Sequence, residues 1–231
     1  MDYILEGLAQ ALRLLFRGDP EIFSALWATF SSSSLAMLAS LLLGLPLGFV
    51  LGHGRFRGSR LLCTLVDTCL ALPTVLIGLV VYAFLSRRGP LGQWGLLFTL
   101  PGLAIGQAIL ALPVVVALTA SVVEGLDRRL RPTLLTLGAS RRQVVLTTLW
   151  EARQGLLAAA INAYSRVVTE VGIAMMVGGN IKWHTRTVTT AIALETGKGE
   201  FAQGIALGLI LLAMALLVNL SLIRLRRGAT P

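Results

Sequence analysis

The chain has 231 residues, of which 55% are hydrophobic and 13% are charged, and its formal net charge is +9. An ordinary soluble domain has about 25% charged residues, so the 20 basic and 11 acidic side chains are too few to cover a soluble fold of this length. The composition excludes a soluble globular protein, a disordered tail and a coiled coil, and it predicts an all-α, polytopic membrane helical bundle.

Residues 1–19 are predicted to form an amphipathic helix on the membrane surface. Apolar residues recur there at helical spacing with charged residues between them. Asp2 and Glu6 stand where a signal peptide has basic residues, so the segment is not interpreted as one. Asp19 and Pro20 mark a stop and a restart before the first membrane helix.

Five apolar segments are long enough to cross the roughly 30 Å of hydrocarbon in a bilayer. They cover residues 22–54, 61–86, 89–123, 154–181 and 201–223. Kinks or breaks are expected at Pro46, Pro73, Pro101 and Pro113. Glycines four residues apart, such as Gly44 and Gly48, predict closely packed helices. Cys63 and Cys69 would lie on different faces of one helix, so no disulfide is expected.

The basic residues lie between the apolar segments, which indicates membrane topology rather than nucleic-acid binding. The loops at 55–60, 128–153 and 224–227 hold 12 of them, and those at 13–17, 87–88 and 182–198 hold seven. The richer set is expected in the cytoplasm. The N-terminus is therefore predicted outside and the C-terminus inside.

The fourth segment carries a polar stripe at helical spacing, which consists of Asn162, Ser165, Arg166, Thr169 and Glu170. Charges inside a bilayer are costly, and Arg166 and Glu170 are four residues apart, so they are expected to neutralise each other. The stripe is either a structural ion pair in the bundle or the border of a water-filled path. Asp67, the other charge in an apolar segment, is expected at its cytoplasmic end, where it either stays in the interface or caps a neighbouring helix, with a role in the path as a further alternative.

Residues 124–153 are too polar to span a membrane and are patterned for two short helices. Gly138 and Ala139 predict a tight turn, and Ser140 predicts a new helix N-cap. The result would be a rigid cytoplasmic knob, with an ordinary re-entry loop as the alternative. The chain has no catalytic, metal-binding or phosphate-loop motif, so we expect no enzyme activity, no metal and no ATP bound by this chain itself.

Residues 130–140 resemble the cytoplasmic signature loop of ABC importer permeases, with Gly138 at the fixed glycine and Ala139-Ser140 after it. The chain departs from the motif at residues 132–134 and 150–151, where Glu-Ala-Ala and Leu-Pro would stand. The resemblance implies a type I ABC importer permease with five transmembrane helices. It also implies that this loop docks a cytoplasmic ATPase subunit through Thr133, Leu134, Leu137, Gly138, Ala139 and Ser140.

Residues 18–21 and 178–196 resemble the tungstate-type oxyanion permeases more narrowly, with molybdate permeases as close relatives. The resemblance implies a homodimer in a bacterial or archaeal plasma membrane and an extracytoplasmic oxyanion-binding protein. ATP and magnesium would act on the partner ATPase. The alternatives are a permease for molybdate or another small anion, and a non-ABC channel or secondary carrier.

The outer loop at 180–203 is rich in groups that can hydrogen-bond an oxyanion. An outer gate is therefore expected to include Asn180, Thr187, Thr189 and Thr190, with a short helix over 191–196 that dips toward the path. A threonine-rich loop is also typical of a plain interfacial or β-prone segment, and that alternative stays open.

Overall fold

The computed structural model describes residue 9 and residues 19–53, 56–127 and 129–228. Within these ranges the chain is helical and contains no strand, which confirms the predicted all-α fold. The α-helices are α1 (Pro20–His53), α2 (Ser59–Leu70), α3 (Thr74–Leu85), α4 (Leu100–Glu124), α5 (Leu130–Thr136), α6 (Arg141–Val168), α7 (Val188–Gly197) and α8 (Phe201–Gly228). A 3₁₀ turn covers Gly92–Trp94 and a π-helical turn covers Ala174–Gly178.

The first helix begins where the sequence predicts. Asp19 Oδ1 accepts a hydrogen bond from Glu21 N at 2.9 Å, and Asp19 O accepts one from Phe23 N at 3.1 Å. Pro20 has no N–H to satisfy and suits the first helical position. The interfacial helix predicted over residues 1–19 lies outside the described residues, apart from residues 9 and 19.

Helices α1 and α4 pack side by side and run in the same direction. A Cβ at Gly44 would lie 2.8 Å from Val115 Cγ1. One at Gly48 would lie 2.5 Å from Thr119 Cβ, so the contacts advance together along both helices. The predicted packing through small residues is confirmed, since a larger side chain at either glycine would push the helices apart. We call the end of the bundle where α1 begins the upper end and the end where α1 finishes the lower end.

Helices α2 and α3 are separated by a 95° bend at residues 71–73. Because α1 and α4 are parallel, the chain must return from the lower to the upper end between them, and α2 and α3 together make that pass. The break predicted at Pro73 is confirmed, whereas the other three prolines lie inside or at the start of α1 and α4. Cys63 and Cys69 both lie on α2 as free thiols.

Helices α6 and α8 complete the bundle. A Cβ at Gly155 would lie 2.6 Å from Val122 Cγ1, and Ala163 packs in one cluster with Val115, so α6 runs antiparallel to α4. Helix α8 begins beside the start of α1, where Leu207 packs in one cluster with Ile22, and it descends parallel to α1. The described chain thus passes through the bundle five times.

These passes differ in polarity. Three helices, Pro20–His53, Leu100–Glu124 and Phe201–Leu220, are long and apolar enough to cross a membrane, and the bent pair of α2 and α3 adds a fourth span if it counts as one. Helix α6 is long enough, with 28 residues, but is not among them. The predicted fourth crossing, residues 154–181, is therefore wrong as one apolar helix: α6 covers only its first part and ends at Val168, and it is not apolar enough to be among these spans.

Candidate functional site

The upper half of α6 displays part of the predicted polar stripe on an open face. Asn162, Arg166 and Thr169 are exposed and Ser165 is half-buried. Asn162 Nδ2 donates to Ala158 O at 2.9 Å, and Thr169 Oγ1 donates to Ser165 O at 3.0 Å. These local bonds hold the polar side chains along the helix and leave the face uncovered in a single copy of the chain.

Glu170 does not belong to this face. Helix α6 ends at Val168, so the geometry that would bring residues 166 and 170 together is lost. Glu170 is buried, and its Oε1 accepts a hydrogen bond from Ile173 N at 3.2 Å. The predicted ion pair is wrong: no ion pair among the described residues joins Arg166 to Glu170. The exposed guanidinium is consequently not neutralised by Glu170.

Two non-helical segments lie against each other beside this end of α6: the bend at residues 71–73 and the segment that follows Val168. The bend between α2 and α3 brings the start of α3 against residues 170–173. A Cβ at Gly172 would lie 3.0 Å from Thr74 Oγ1 and 3.2 Å from Val75 N. Non-helical backbone at membrane depth is tolerated only where it is buried in protein or lines an aqueous cavity. Here the close contacts of Gly172 show non-helical backbone that is packed against the start of α3.

The lower loop, residues 130–140, has the predicted shape. Helix α5 ends in a Schellman motif, in which Ala139 N donates to Leu134 O at 3.0 Å and Gly138 N donates to Leu135 O at 3.0 Å. Gly138 has a φ of 79°, which favours glycine. The first predicted short helix and the turn are confirmed, whereas the second short helix is wrong, because it is the start of the 28-residue α6.

The predicted N-cap after this turn is also confirmed. Ser140 Oγ accepts from Gln143 N at 3.4 Å, and Gln143 Oε1 accepts from Ser140 N at 2.8 Å, which is a complete capping box. The predicted docking residues Thr133, Gly138 and Ser140 are exposed, and Leu134 and Ala139 are half-buried. Leu137 is 78% exposed at the tip of the loop. The loop is a rigid, largely uncovered knob.

Exposed apolar side chains also occur beyond this knob, at the start of α6. Leu146 and Trp150, one turn apart at the start of α6, are 54% and 66% exposed. The guanidinium carbon of Arg153 lies 4.5 Å from the Trp150 ring centre. In the sequence, only the spacing of four residues indicates that Leu146 and Trp150 share one helix face, and that spacing does not tell an exposed face from a buried one.

The side chains predicted for an outer gate form hydrogen bonds with other groups of the protein. Thr187 caps α7, and Thr190 completes a second capping box. Thr189 Oγ1 donates to Glu170 O at 3.0 Å, and Arg186 Nε donates to Asn180 Oδ1 at 3.1 Å. The three threonines are buried. Helix α7 confirms the predicted short helix and is longer than expected.

Two further features, an ion-pair cluster at the upper end and a cavity at the lower end, were not predicted from the sequence. At the upper end, Glu21 binds Lys182 and Arg186 across more than 160 residues of chain. At the lower end, a cavity of ≈ 1030 Å³ opens between α2, α5 and the ends of α1 and α4. Asp67 is exposed and lines that cavity. Within the described ranges no three His, Cys, Asp or Glu residues are grouped as they would be to hold a metal ion.

Comparisons with known proteins agree with this arrangement. Residues 44–229 match the family model "Binding-protein-dependent transport system inner membrane component". The chain is 48% identical to the tungstate uptake system permease protein TupB of Campylobacter jejuni, over 98% of this chain and 95% of that one. It is 37% identical to the TupB protein of Peptoclostridium acidaminophilum, over 95% and 96%. The MetNI methionine ABC transporter, in an inward-facing conformation, has a chain that shares the fold, with a TM-score of 0.75 and 17% identity over 91% of this chain and 97% of that chain.

Proposed function

The chain belongs to the family of binding-protein-dependent transport system inner membrane components, and we propose that it forms the path by which an ABC importer moves tungstate across a membrane. The observation that supports tungstate as the substrate is the 48% identity, over 98% of this chain, to a tungstate uptake permease. Tungstate is a tetrahedral dianion, and oxyanions of this kind are bound by charge-assisted hydrogen bonds.

The uncovered face of α6 supports the path. An arginine at the centre of a membrane helix costs at least about 2.5–3.5 kcal/mol, and such residues face a bundle interior or water. Arg166 is exposed in one copy of the chain, and Glu170 does not neutralise it. A second copy would cover this face and leave a polar channel between the two. The proposed assembly is therefore a homodimer with the Arg166 face turned inward.

The lower loop supports coupling to a separate ATPase. The turn at Gly138 and the cap at Ser140 fix the shape of the loop by local hydrogen bonds, and Leu137 offers an apolar tip. ATP with magnesium would be bound and hydrolysed on that partner, and this chain would transmit the motion. Leu146 and Trp150 extend the surface on which the partner would rest.

The proposed orientation places the lower end in the cytoplasm. The 12 basic residues of the richer set lie after α1, from the end of α4 into the start of α6, and in the last turns of α8. Helices α1, α4 and α8 all run toward the lower end, so this set lies at that end. The upper end would then face outward, where an oxyanion-binding protein delivers the substrate. The exposed apolar side chains along α1 and α8 would contact lipid of a bacterial or archaeal plasma membrane.

Uptake into proteoliposomes tests this function. The chain is reconstituted with its ATPase and binding protein, and intravesicular tungsten, molybdenum and sulfur are measured after ATP is supplied. ATP-dependent accumulation of tungstate at concentrations where sulfate is not accumulated is expected. Accumulation of molybdate or sulfate in place of tungstate would contradict the substrate, and no ATP-driven uptake of any oxyanion would contradict the path.

A further inference from the structure

The upper end contains two cations that share one carboxylate. Lys182 Nζ lies 2.6 Å from Glu21 Oε2, and Arg186 Nη1 lies 2.5 Å from Glu21 Oε1. The Nε of Arg186 also donates to Asn180 Oδ1 at 3.1 Å, which fixes the plane of the guanidinium. The group of Glu21, Lys182 and Arg186 keeps one positive charge in excess.

This cluster joins the two segments that carry the resemblance to tungstate-type permeases, residues 18–21 and 178–196. A second long-range contact lies nearby, because Val188 N donates to Thr29 Oγ1 at 2.9 Å. The chain folds so that the start of α1 and the loop before α7 form one surface at the upper end.

The hydroxyl groups of that loop are already used by the protein. Thr189 Oγ1 donates to Glu170 O, Thr190 Oγ1 donates to Thr187 O, and Thr185 Oγ1 donates to Gly178 O. All three threonines are buried. Lys182 and Arg186 differ from these threonines, because they are held only by partly exposed Glu21 and by Asn180 among the hydrogen bonds and ion pairs described, and they can bind an arriving anion.

We propose that Lys182 and Arg186 form an entry site for the transported oxyanion, and that Glu21 occupies this site when the oxyanion is absent. The proposal rests on the proposed function, from which it takes the substrate class. A carboxylate and an oxyanion accept the same charge-assisted hydrogen bonds. A tetrahedral dianion offers two charges and four oxygens where Glu21 offers one charge and two oxygens, so it can compete for both cations.

The exposure of the three side chains suits such an exchange. The side chain of Arg186 is 16% exposed and is held by Asn180, whereas those of Lys182 and Glu21 are 48% and 36% exposed. Glu21 and Lys182 can therefore move apart into water while Arg186 stays in place. Partly exposed ion pairs are weak and screened by salt, and a weak site releases its anion onward.

The first test uses the unmodified chain in its assembled transporter. Lys182 and Lys198 are its two lysines, each is paired with a glutamate, and their side chains are similarly exposed at 48% and 53%. An amine-reactive reagent is applied with and without tungstate at constant ionic strength, and modification of each lysine is measured by mass spectrometry. Tungstate should slow the modification of Lys182 and leave Lys198 unchanged. Equal rates at Lys182 with and without tungstate, or equal protection of both lysines, would overturn the proposal.

The second test removes the competing carboxylate. In Glu21→Gln, the tungstate concentration that half-protects Lys182 should fall by at least about tenfold, because a bound anion no longer displaces a charge. Glu195→Gln is the matched control, since it removes the same charge from the other glutamate–lysine pair. An unchanged midpoint in Glu21→Gln, or the same shift in Glu195→Gln, would overturn the proposal. If Glu21→Gln does not assemble, the lysine protection in the unmodified transporter decides. Uptake measured on the same preparations separates this outcome from failure of the transport function itself.

Discussion

The loops at the two ends of the bundle use the same local devices for different purposes. The lower loop has Gly138 at a φ of 79° and a capping box at Ser140, and the upper loop has Gly179 at a φ of 70° and a capping box at Thr187. The lower cap is exposed, whereas the upper cap is buried and bonded to neighbouring segments. A local motif therefore fixes the shape of a loop, and long-range contacts decide whether that loop is a free surface or part of the bundle.

Helix α6 runs from the exposed lower loop to the buried region at the upper end. It starts at the free lower loop, carries exposed side chains as far as Arg166, and ends just before Glu170, which is buried and bonded to the backbone. The boundary between free surface and bundle interior thus lies within four residues.

The largest effect is expected at Arg166. Arg166→Met removes a charge that no ion pair in the described residues uses, so assembly should be normal while ATP-driven tungstate uptake falls at least about tenfold, or about 1.4 kcal/mol. Arg166→Lys keeps the charge and should retain part of the uptake. Normal uptake by Arg166→Met in proteoliposomes would show that this face is not the path.

The two ends can be compared directly through glycines at positive φ. Gly138 and Gly199 have φ values of 79° and 86°, and both have open space where a Cβ would lie. Leucine at either position carries a similar strain of about 1–2 kcal/mol. Gly138→Leu should lower substrate-stimulated ATP hydrolysis by about tenfold, and Gly199→Leu should leave it nearly unchanged. Equal losses in the two variants would contradict a special coupling role for the lower loop.

The two capping boxes should differ in stability. Ser140→Ala removes an exposed cap and should cost about 1 kcal/mol. Thr187→Ala removes a buried cap and also leaves buried polar partners unsatisfied, so about 2–4 kcal/mol is expected. Unfolding in mixed detergent micelles measures both. A cost for Thr187→Ala no larger than that for Ser140→Ala would mean that the upper loop is not part of the bundle.

The smallest effect is expected at Glu170. Glu170→Gln keeps an oxygen that can accept the hydrogen bond from Ile173 N, so uptake should stay within about twofold of the unmodified chain. Glu170→Leu removes that acceptor and is the comparison variant, for which lower assembly is expected. If Glu170→Gln disrupts assembly as strongly as Glu170→Leu, the negative charge itself is required, and the hydrogen bond from Ile173 N does not explain the role of Glu170.

The features that the sequence predicted are those encoded by neighbouring residues. The turn at Gly138, the cap at Ser140, the helix start at Asp19-Pro20 and the break at Pro73 each depend on a few consecutive residues. The close contact of α1 with α4 was also predicted, because glycines at every fourth position describe one helix face.

The features that were missed depend on where a helix ends or on distant contacts. The spacing of Arg166 and Glu170 predicted an ion pair only while the helix continued, and α6 ends at Val168. The contacts of Glu21 with Lys182 and Arg186 join residues more than 160 positions apart, and no local pattern pairs them. The upper threonines suggested anion binding by composition, whereas burial commits their hydroxyls to the protein.

A double-mutant cycle on tungstate uptake tests the central claim most directly, which is that Arg166 faces the path and acts independently of Glu170. Uptake is measured in proteoliposomes for the unmodified chain, Arg166→Met, Glu170→Gln and the double variant, with assembly checked for each. Independence predicts that the double variant transports like Arg166→Met, with a coupling energy below about 0.5 kcal/mol. Recovery of uptake or assembly in the double variant relative to either single variant would show that the two charges are paired, and it would contradict the account.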